Sequence, residues 1–150
     1  MQINNETITV KVWDTAGQER FKTIAHNFYR KSQGILLLFD VANKQTLSNI
    51  NSWIMSITEN ANPDTKVYLI GNKIDLVNER QVPTDLGKKI AEKYNLKYFE
   101  TSAKNNINVD EPFNSMVLEI MEKKRTSIGS EMDSKQLGKK NAEKVSKNCC

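Results

Sequence analysis

Two short, unbroken apolar runs constrain the fold of this 150-residue chain most: Gly34-Ile35-Leu36-Leu37-Leu38-Phe39-Asp40 and Lys66-Val67-Tyr68-Leu69-Ile70-Gly71. A strand with one wet face alternates apolar and polar residues, whereas an unbroken run suits a strand covered on both faces of a parallel sheet. Lys97-Tyr98-Phe99-Glu100-Thr101 is a weaker third run. Between and after these runs the apolar residues recur at helical spacing. Leu47, Ile50, Ile54 and Ile57 share one face of a first helix, and Leu86, Ile90 and Tyr94 one face of a second. Phe113, Val117 and Ile120 belong to a last helix, with Pro112 tolerated near its start. Strands alternating with helices predict an α/β fold built on a parallel sheet. Upstream, Thr7-Ile8-Thr9-Val10-Lys11-Val12-Trp13 alternates, which predicts one more strand. Asn4-Asn5 is a turn signal, so Met1-Gln2-Ile3 reads as the end of a hairpin partner.

The chain separates into a body, residues 1–125, and a tail, 126–150. A length of this order fits one domain and buries a real core. The net charge of +4 is carried by the C-terminal stretch: from Glu122 onward there are eight basic residues against four acidic ones. The remainder is neutral, so no basic face for nucleic acid is indicated. From about Thr126 the sequence is mostly Lys, Ser, Asn and Gly, which predicts a flexible segment. No window approaches the roughly 18 consecutive apolar residues of a membrane span. The opening residues show no secretory signal, which places the expected starting point in the cytosol. The two cysteines, Cys149 and Cys150, are neighbours and cannot staple the fold.

In open α/β sheets, ligands sit beyond the carboxyl ends of the strands. Three polar motifs fall there. Asp14-Thr15-Ala16-Gly17-Gln18-Glu19 follows the first predicted strand, Asn72-Lys73-Ile74-Asp75 follows the run ending at Gly71, and Thr101-Ser102-Ala103-Lys104 follows the third. Asp14 can hold a magnesium ion through water, and Gly17 can bring its backbone N–H against a terminal phosphate. Gln18 can orient an attacking water. Asp75 can accept from the N1–H and N2 amine of guanine, donors that adenine lacks at those positions. Asn72 carries an amide that donates and accepts, and the stem of Lys73 can lie over the base plane. The Ala103 N–H can point at the guanine O6, with Lys104 packing from the other side. Each motif alone is a common surface turn. Their order, spacing and shared strand-end placement carry the reading. His26, the scattered methionines and Trp53 read as packing or surface residues.

Trp13-Asp14-Thr15-Ala16-Gly17-Gln18-Glu19-Arg20-Phe21, Gly71-Asn72-Lys73-Ile74-Asp75-Leu76 and Glu100-Thr101-Ser102-Ala103-Lys104 resemble three nucleotide-site motifs of Ras-like GTPases. The first, with Phe28-Tyr29-Arg30, resembles the Rab branch, and Arg80-Gln81-Val82 with Asn106-Ile107-Asn108-Val109 its secretory, exocytic members. The resemblance runs from Met1 to about Lys124. It implies a GTP-binding and GTP-hydrolysing switch in vesicle traffic that alternates between GTP and GDP with Mg2+. Gln18 then positions the hydrolytic water, and Asp14 lies in the magnesium shell. Gly17 meets the phosphate. Asn72, Lys73, Asp75, Ser102, Ala103 and Lys104 read the guanine, and Trp13 and Phe28 belong to an effector surface. Exchange factors, GTPase-activating proteins, effectors and prenylation machinery are the implied partners. Cys149 and Cys150 are the implied lipidation sites, two lipids holding firmly where one does not. The basic tail adds about 1 kcal/mol of attraction to anionic lipid for each Lys or Arg near the surface. The implied location is the cytosol and the cytoplasmic face of membranes. Phe28 stands where Tyr is common in the family, and Lys31 where Gly is usual.

One motif of the family has no counterpart. The glycines at 17, 34, 71, 87, 129 and 138 give no Gly-x-x-x-x-Gly-Lys-Ser/Thr spacing, the loop whose backbone cradles the phosphates. The expectation is therefore an α/β, Ras-like, P-loop-NTPase-like domain lacking its first strand, P-loop, first helix and switch I. Two alternatives stay beside the switch: a lipid-anchored, effector-binding remnant without turnover, and a non-functional fragment. For these 150 residues alone, tight GTP binding is not expected.

Overall fold

The computed structural model describes residues 1–3, 5–15 and 22–126. The chain forms two compact units, Met1–Met116 and Val117–Cys150. The described residues of the second are the helical residues 117–126. Gly17, Gln18, Cys149 and Cys150 lie outside the described residues, as does nearly all of the predicted tail.

A hairpin opens the first unit. β1 (Gln2–Ile3) pairs antiparallel with β2 (Glu6–Thr7), Gln2 opposite Thr7. Met1 and Ile8 exchange backbone hydrogen bonds at 2.9 and 3.0 Å. Asn5 takes φ 65°, the left-handed region that asparagine tolerates in tight turns. The strand predicted over 7–13 is thus much shorter. The partner arm, Met1–Ile3, is three residues long and matches only 6–8. Beyond Ile8 no described neighbour supplies a ladder, and Val10, Val12 and Trp13 stand exposed. Alternation alone does not hold a strand that lacks a partner.

The central sheet has three parallel strands in the order β3-β4-β5: β3 (Gly34–Asp40), β4 (Lys66–Asn72) and β5 (Lys97–Thr101). Gly34 pairs with Lys66 and Asp40 with Asn72, while Tyr68 pairs with Lys97 and Asn72 with Thr101. All three strands therefore run to the same end, where Asp40, Asn72 and Thr101 lie side by side. The expectation of burial on both faces holds for β4, the middle strand, whose Tyr68, Leu69, Ile70 and Gly71 are buried. On β3 it holds for one face: Leu37 and Phe39 are buried, but Leu38 is 52% exposed.

Helices cross between the strands. α1 (Lys22–Tyr29) precedes β3. α2 (Lys44–Asn60) begins at Asn43, whose side chain accepts from the Gln45 N–H and satisfies one free donor of the first turn. Its Leu47, Ile50 and Ile57 are buried as predicted, and Ile54 packs partly buried against the same core. α3 (Thr84–Lys93) presents Gly87 and Ala91 as its buried residues, with Leu86 and Ile90 at their sides. Residues 110–116 close the first unit in helical conformation, with Pro112 in the first turn. Phe39, Val41, Leu47, Ile50, Leu69 and Val82 lie at the heart of the core. The single His26 is partly buried, its Nε2 3.1 Å from the Ser56 hydroxyl, in keeping with a packing role.

Candidate functional site

The common end of the three strands is where backbone polarity and side-chain chemistry concentrate. At Lys73 the chain leaves β4 with φ 69°, a left-handed conformation uncommon for a side-chain-bearing residue. This sharp exit keeps Asn72 in the strand and brings Asp75 back toward β5. Backbone bonds close the turn, Leu76 N–H to Lys73 O at 3.0 Å and Ile74 N–H to Thr101 O at 3.2 Å.

The second loop leaves β5 at Thr101. Ser102 and Ile107 exchange two backbone bonds at 3.0 and 2.9 Å, pinching residues 103–106 into a closed turn. Asn106 and Asn108 sit at φ 53° and 54°, and Asn105 N–H donates to the Ser102 hydroxyl oxygen at 3.1 Å.

The two loops are stitched together by side chains. Thr101 Oγ1 donates to Asn72 Oδ1 at 3.2 Å, and Ser102 Oγ donates to Asp75 Oδ1 at 2.6 Å. Thr101 and Ser102 are both buried. The Ser102 hydroxyl, followed by weaker attraction from Lys104 and Lys73, holds the Asp75 carboxyl below its ordinary range. Lys73 pairs with Asp40 at 2.6 Å. The hydrogen bond and charge of Asp40 raise the lysine above its ordinary value, so Lys73 stays cationic. Asp40 also accepts from Ala42 N–H at 2.8 Å, which fixes the carboxylate.

Asn72, Lys73, Asp75, Leu76, Ala103 and Lys104 line an open cleft of about 280 Å³. That lies at the small end of ligand sites, roughly 300–1,000 Å³, and matches a single heterocyclic base better than a whole nucleotide. An anionic acceptor, an amide and two lysine stems in one lining suit a planar base with adjacent N–H donors. The sequence placed these residues at two strand ends, and the structure brings them together. One detail differs. The Ala103 N–H, expected to face a base oxygen, donates to Asn72 Oδ1 at 3.2 Å, because that oxygen lies within reach of both loops. A ligand carbonyl has to displace this long bond to use the N–H.

Of the first motif, only Asp14 and Thr15 are among the described residues. Asp14 is exposed in the extended stretch after the hairpin and is not among the lining residues. Trp13 and Phe28 do meet, ring centroids 5.3 Å apart and tilted by 34°, with Trp13 67% exposed. Among the described residues no three His, Cys, Asp or Glu side chains gather to hold a metal ion. Asp14 offers one carboxylate, and Mg2+ bound through so few protein ligands relies on substrate phosphates.

Sequence reasoning missed Asp40. Its signal was available: it ends an apolar run, the same strand-end position as the motifs. It also gave no site role to Arg80, quoted only within Arg80-Gln81-Val82, or to Tyr98, quoted only within the third apolar run.

Comparison with known proteins bears on the family. The Ras family model, described as "Ras family", matches residues 1–122. Ras-related protein Rab-13 of Rattus norvegicus is 40% identical over 152 residues, covering 97% of this chain and 75% of the relative. Rab-13 of Mesocricetus auratus is 41% identical over the same span. Ras-related protein Rab-8B of Homo sapiens is 42% identical over 123 residues, covering 82% of this chain and 59% of the relative.

Proposed function

The chain belongs to the Ras family, within it to the Rab-related proteins, and we propose that its cleft reads the guanine of GTP and GDP in a switch of vesicle-mediated membrane traffic. The observation that carries the reading is the Ser102–Asp75 bond across two loops that the sequence separates by 27 positions. It holds a carboxylate ionised on the wall of a base-sized cleft. Asp75 accepts from N1–H and the N2 amine, Asn72 and the Ala103 N–H address the far edge, and the stems of Lys73 and Lys104 flank the ring.

Family members bind GTP or GDP with Mg2+, and membership supports the following roles for the remaining residues. Gly17 contacts the terminal phosphate, Gln18 positions the hydrolytic water, and Asp14 approaches Mg2+ through water. Trp13 and Phe28 present an aromatic surface to effectors, with exchange factors and GTPase-activating proteins as regulators. The body, residues 1–125, carries the switch, and the tail, 126–150, is a tether lipidated at Cys149 and Cys150 that docks on cytoplasmic membrane faces. No helix among the described residues is long and apolar enough to cross a membrane.

Asp75→Asn tests the base reading. The variant trades one acceptor for a donor, so affinity for GDP falls. Preference shifts toward xanthosine diphosphate, whose C2 carbonyl accepts from the amide. Calorimetric titration of both nucleotides at millimolar concentration reads the ratio, and an unchanged preference for GDP sinks the proposal.

A further inference from the structure

A second polar cluster is built from Arg80, Tyr98 and Glu100, none of which is among the residues lining the cleft. Arg80 follows the short 3-10 turn Val77–Glu79, on the segment leaving Asp75. Its Nε donates to Val82 O at 2.8 Å and its Nη2 to Thr84 Oγ1 at 3.0 Å. The same Nη2 donates to Glu100 Oε1 in an ion pair whose side chains are 24% and 17% exposed. Tyr98 OH donates to that carboxylate oxygen as well, at 2.8 Å. Glu100 is therefore gripped from two sides, and its own carbonyl accepts from Asn108 Nδ2 at 3.3 Å.

The position of Glu100 gives the cluster its meaning. It pairs with Gly71 in the β4–β5 ladder and immediately precedes Thr101 and Ser102, which bond Asn72 and Asp75. Arg80 therefore ties the segment after one base-reading loop to the strand residue before the other. Two glycines make room for it. A Cβ on Gly71 comes 2.7 Å from the Tyr98 hydroxyl, and one on Gly87 clashes with the same hydroxyl. Burial, then the bond to Glu100, pushes the Tyr98 phenol far above its ordinary range, so it remains a donor at every working pH.

We propose that Arg80 and Glu100 form a positioning pair that holds the two halves of the base-reading cleft in register. This rests on the guanine-reading assignment of the cleft, and the pair itself touches no ligand. Arginine is suited to the task because its fork reaches Val82, Thr84 and Glu100 together, which a lysine ammonium on its flexible stem cannot do.

The test uses the full chain with Arg80→Ala and Arg80→Lys. Amide hydrogen exchange is read at Ile74, Ser102 and Ile107, whose N–H groups bond within and between the loops, and at Leu69 and Ile70 in the centre of β4. Arg80→Ala should speed exchange at the three loop amides at least about tenfold and leave the β4 amides unchanged. Titration with GDP and with inosine diphosphate, which lacks the N2 amine, gives the second readout. The preference for GDP should shrink toward unity in Arg80→Ala and recover in part in Arg80→Lys. Loop amides exchanging at the wild-type rate overturn the pairing, as does loop loosening accompanied by equal loss in β4. If Arg80→Ala does not fold, Arg80→Lys decides by the same loop-against-β4 comparison. Should the wild type bind neither nucleotide, the base reading fails, and the exchange comparison still decides whether the pair fixes the loops.

Discussion

The Ser102 hydroxyl, itself fully buried, donates to Asp75 Oδ1 at 2.6 Å and ties the end of β5 to the turn after β4. Hydrogen bonds to charged groups are among the stronger ones. Removing this one frees the carboxylate to rotate away from a base. Ser102→Ala should therefore weaken guanine-nucleotide binding roughly tenfold or more. Calorimetry against GDP checks the affinity, and circular dichroism checks that the fold is retained.

The same bond sets a pH dependence. Because the folded Asp75 titrates below its ordinary value, the ionised form is the one the fold favours. Its contribution is fully present above the unfolded value, about 3.9, and is lost as pH falls through the folded one. Guanine binding should thus be flat from neutral pH to about pH 5 and decline only under stronger acid. Carbon NMR of the Asp75 carboxyl should give a midpoint below about 3.9 in the wild type. In Ser102→Ala that midpoint should move upward, and an unmoved midpoint speaks against the hydroxyl as its cause.

Much of this was legible in the sequence, for physical reasons that differ by element. β4 was readable because burial on both faces demands an unbroken apolar run, and Tyr68-Leu69-Ile70-Gly71 is one. α2 was readable because one buried face at helical period leaves Leu47, Ile50 and Ile57 in a row. The stretch 8–13 was misread because alternation reports a surface fit for pairing, and pairing needs a neighbour. Leu38 was misread because an edge strand can be as apolar as a central one. In the cleft, Asn72, Asp75 and Ser102 announced themselves through spacing. Asp40 showed its strand-end position but not its pairing with Lys73, and Arg80 and Tyr98 act through contacts distant in sequence or through strand register, which residue type alone does not reveal.

Gly87 is required by its neighbour rather than by its backbone. A methyl there meets the Tyr98 ring and hydroxyl, which are held by stacking on Phe39 at 6.3 Å and by the bond to Glu100. Overpacking of this kind costs roughly 1–3 kcal/mol. Gly87→Ala should lower Tm by several degrees, although alanine is the better helix former by about 1 kcal/mol in an exposed position. Differential scanning calorimetry reads the sign, and a raised Tm contradicts the steric account.

A chain bearing two lipids binds membranes firmly, while a basic segment alone binds weakly and releases in salt. Replacing Cys149 and Cys150 with serine should move the protein expressed in eukaryotic cells from the membrane pellet to the supernatant. Pelleting that persists in the double variant, at 0.5 M salt, removes the lipid from the account.

The open side of β3 carries the last prediction. β3 pairs with β4 along all seven residues from Gly34 to Asp40, and its other edge has no ladder partner among the described residues. Natural edge strands are shielded by charge, proline or a bulge, because an apolar edge recruits strands from other molecules. This edge has none of these between Ile35 and Phe39, and Leu38 adds an exposed side chain to it. The chain should therefore self-associate as its concentration rises. Leu38→Lys places a charge at the exposed position and leaves the buried pair Leu37 and Phe39 untouched, so it should suppress association at little cost to folding. Sedimentation velocity across a hundredfold concentration range distinguishes the two chains. If both sediment as the same monomer throughout, the edge is not an adhesive surface, and the exposure of Leu38 has no consequence for assembly.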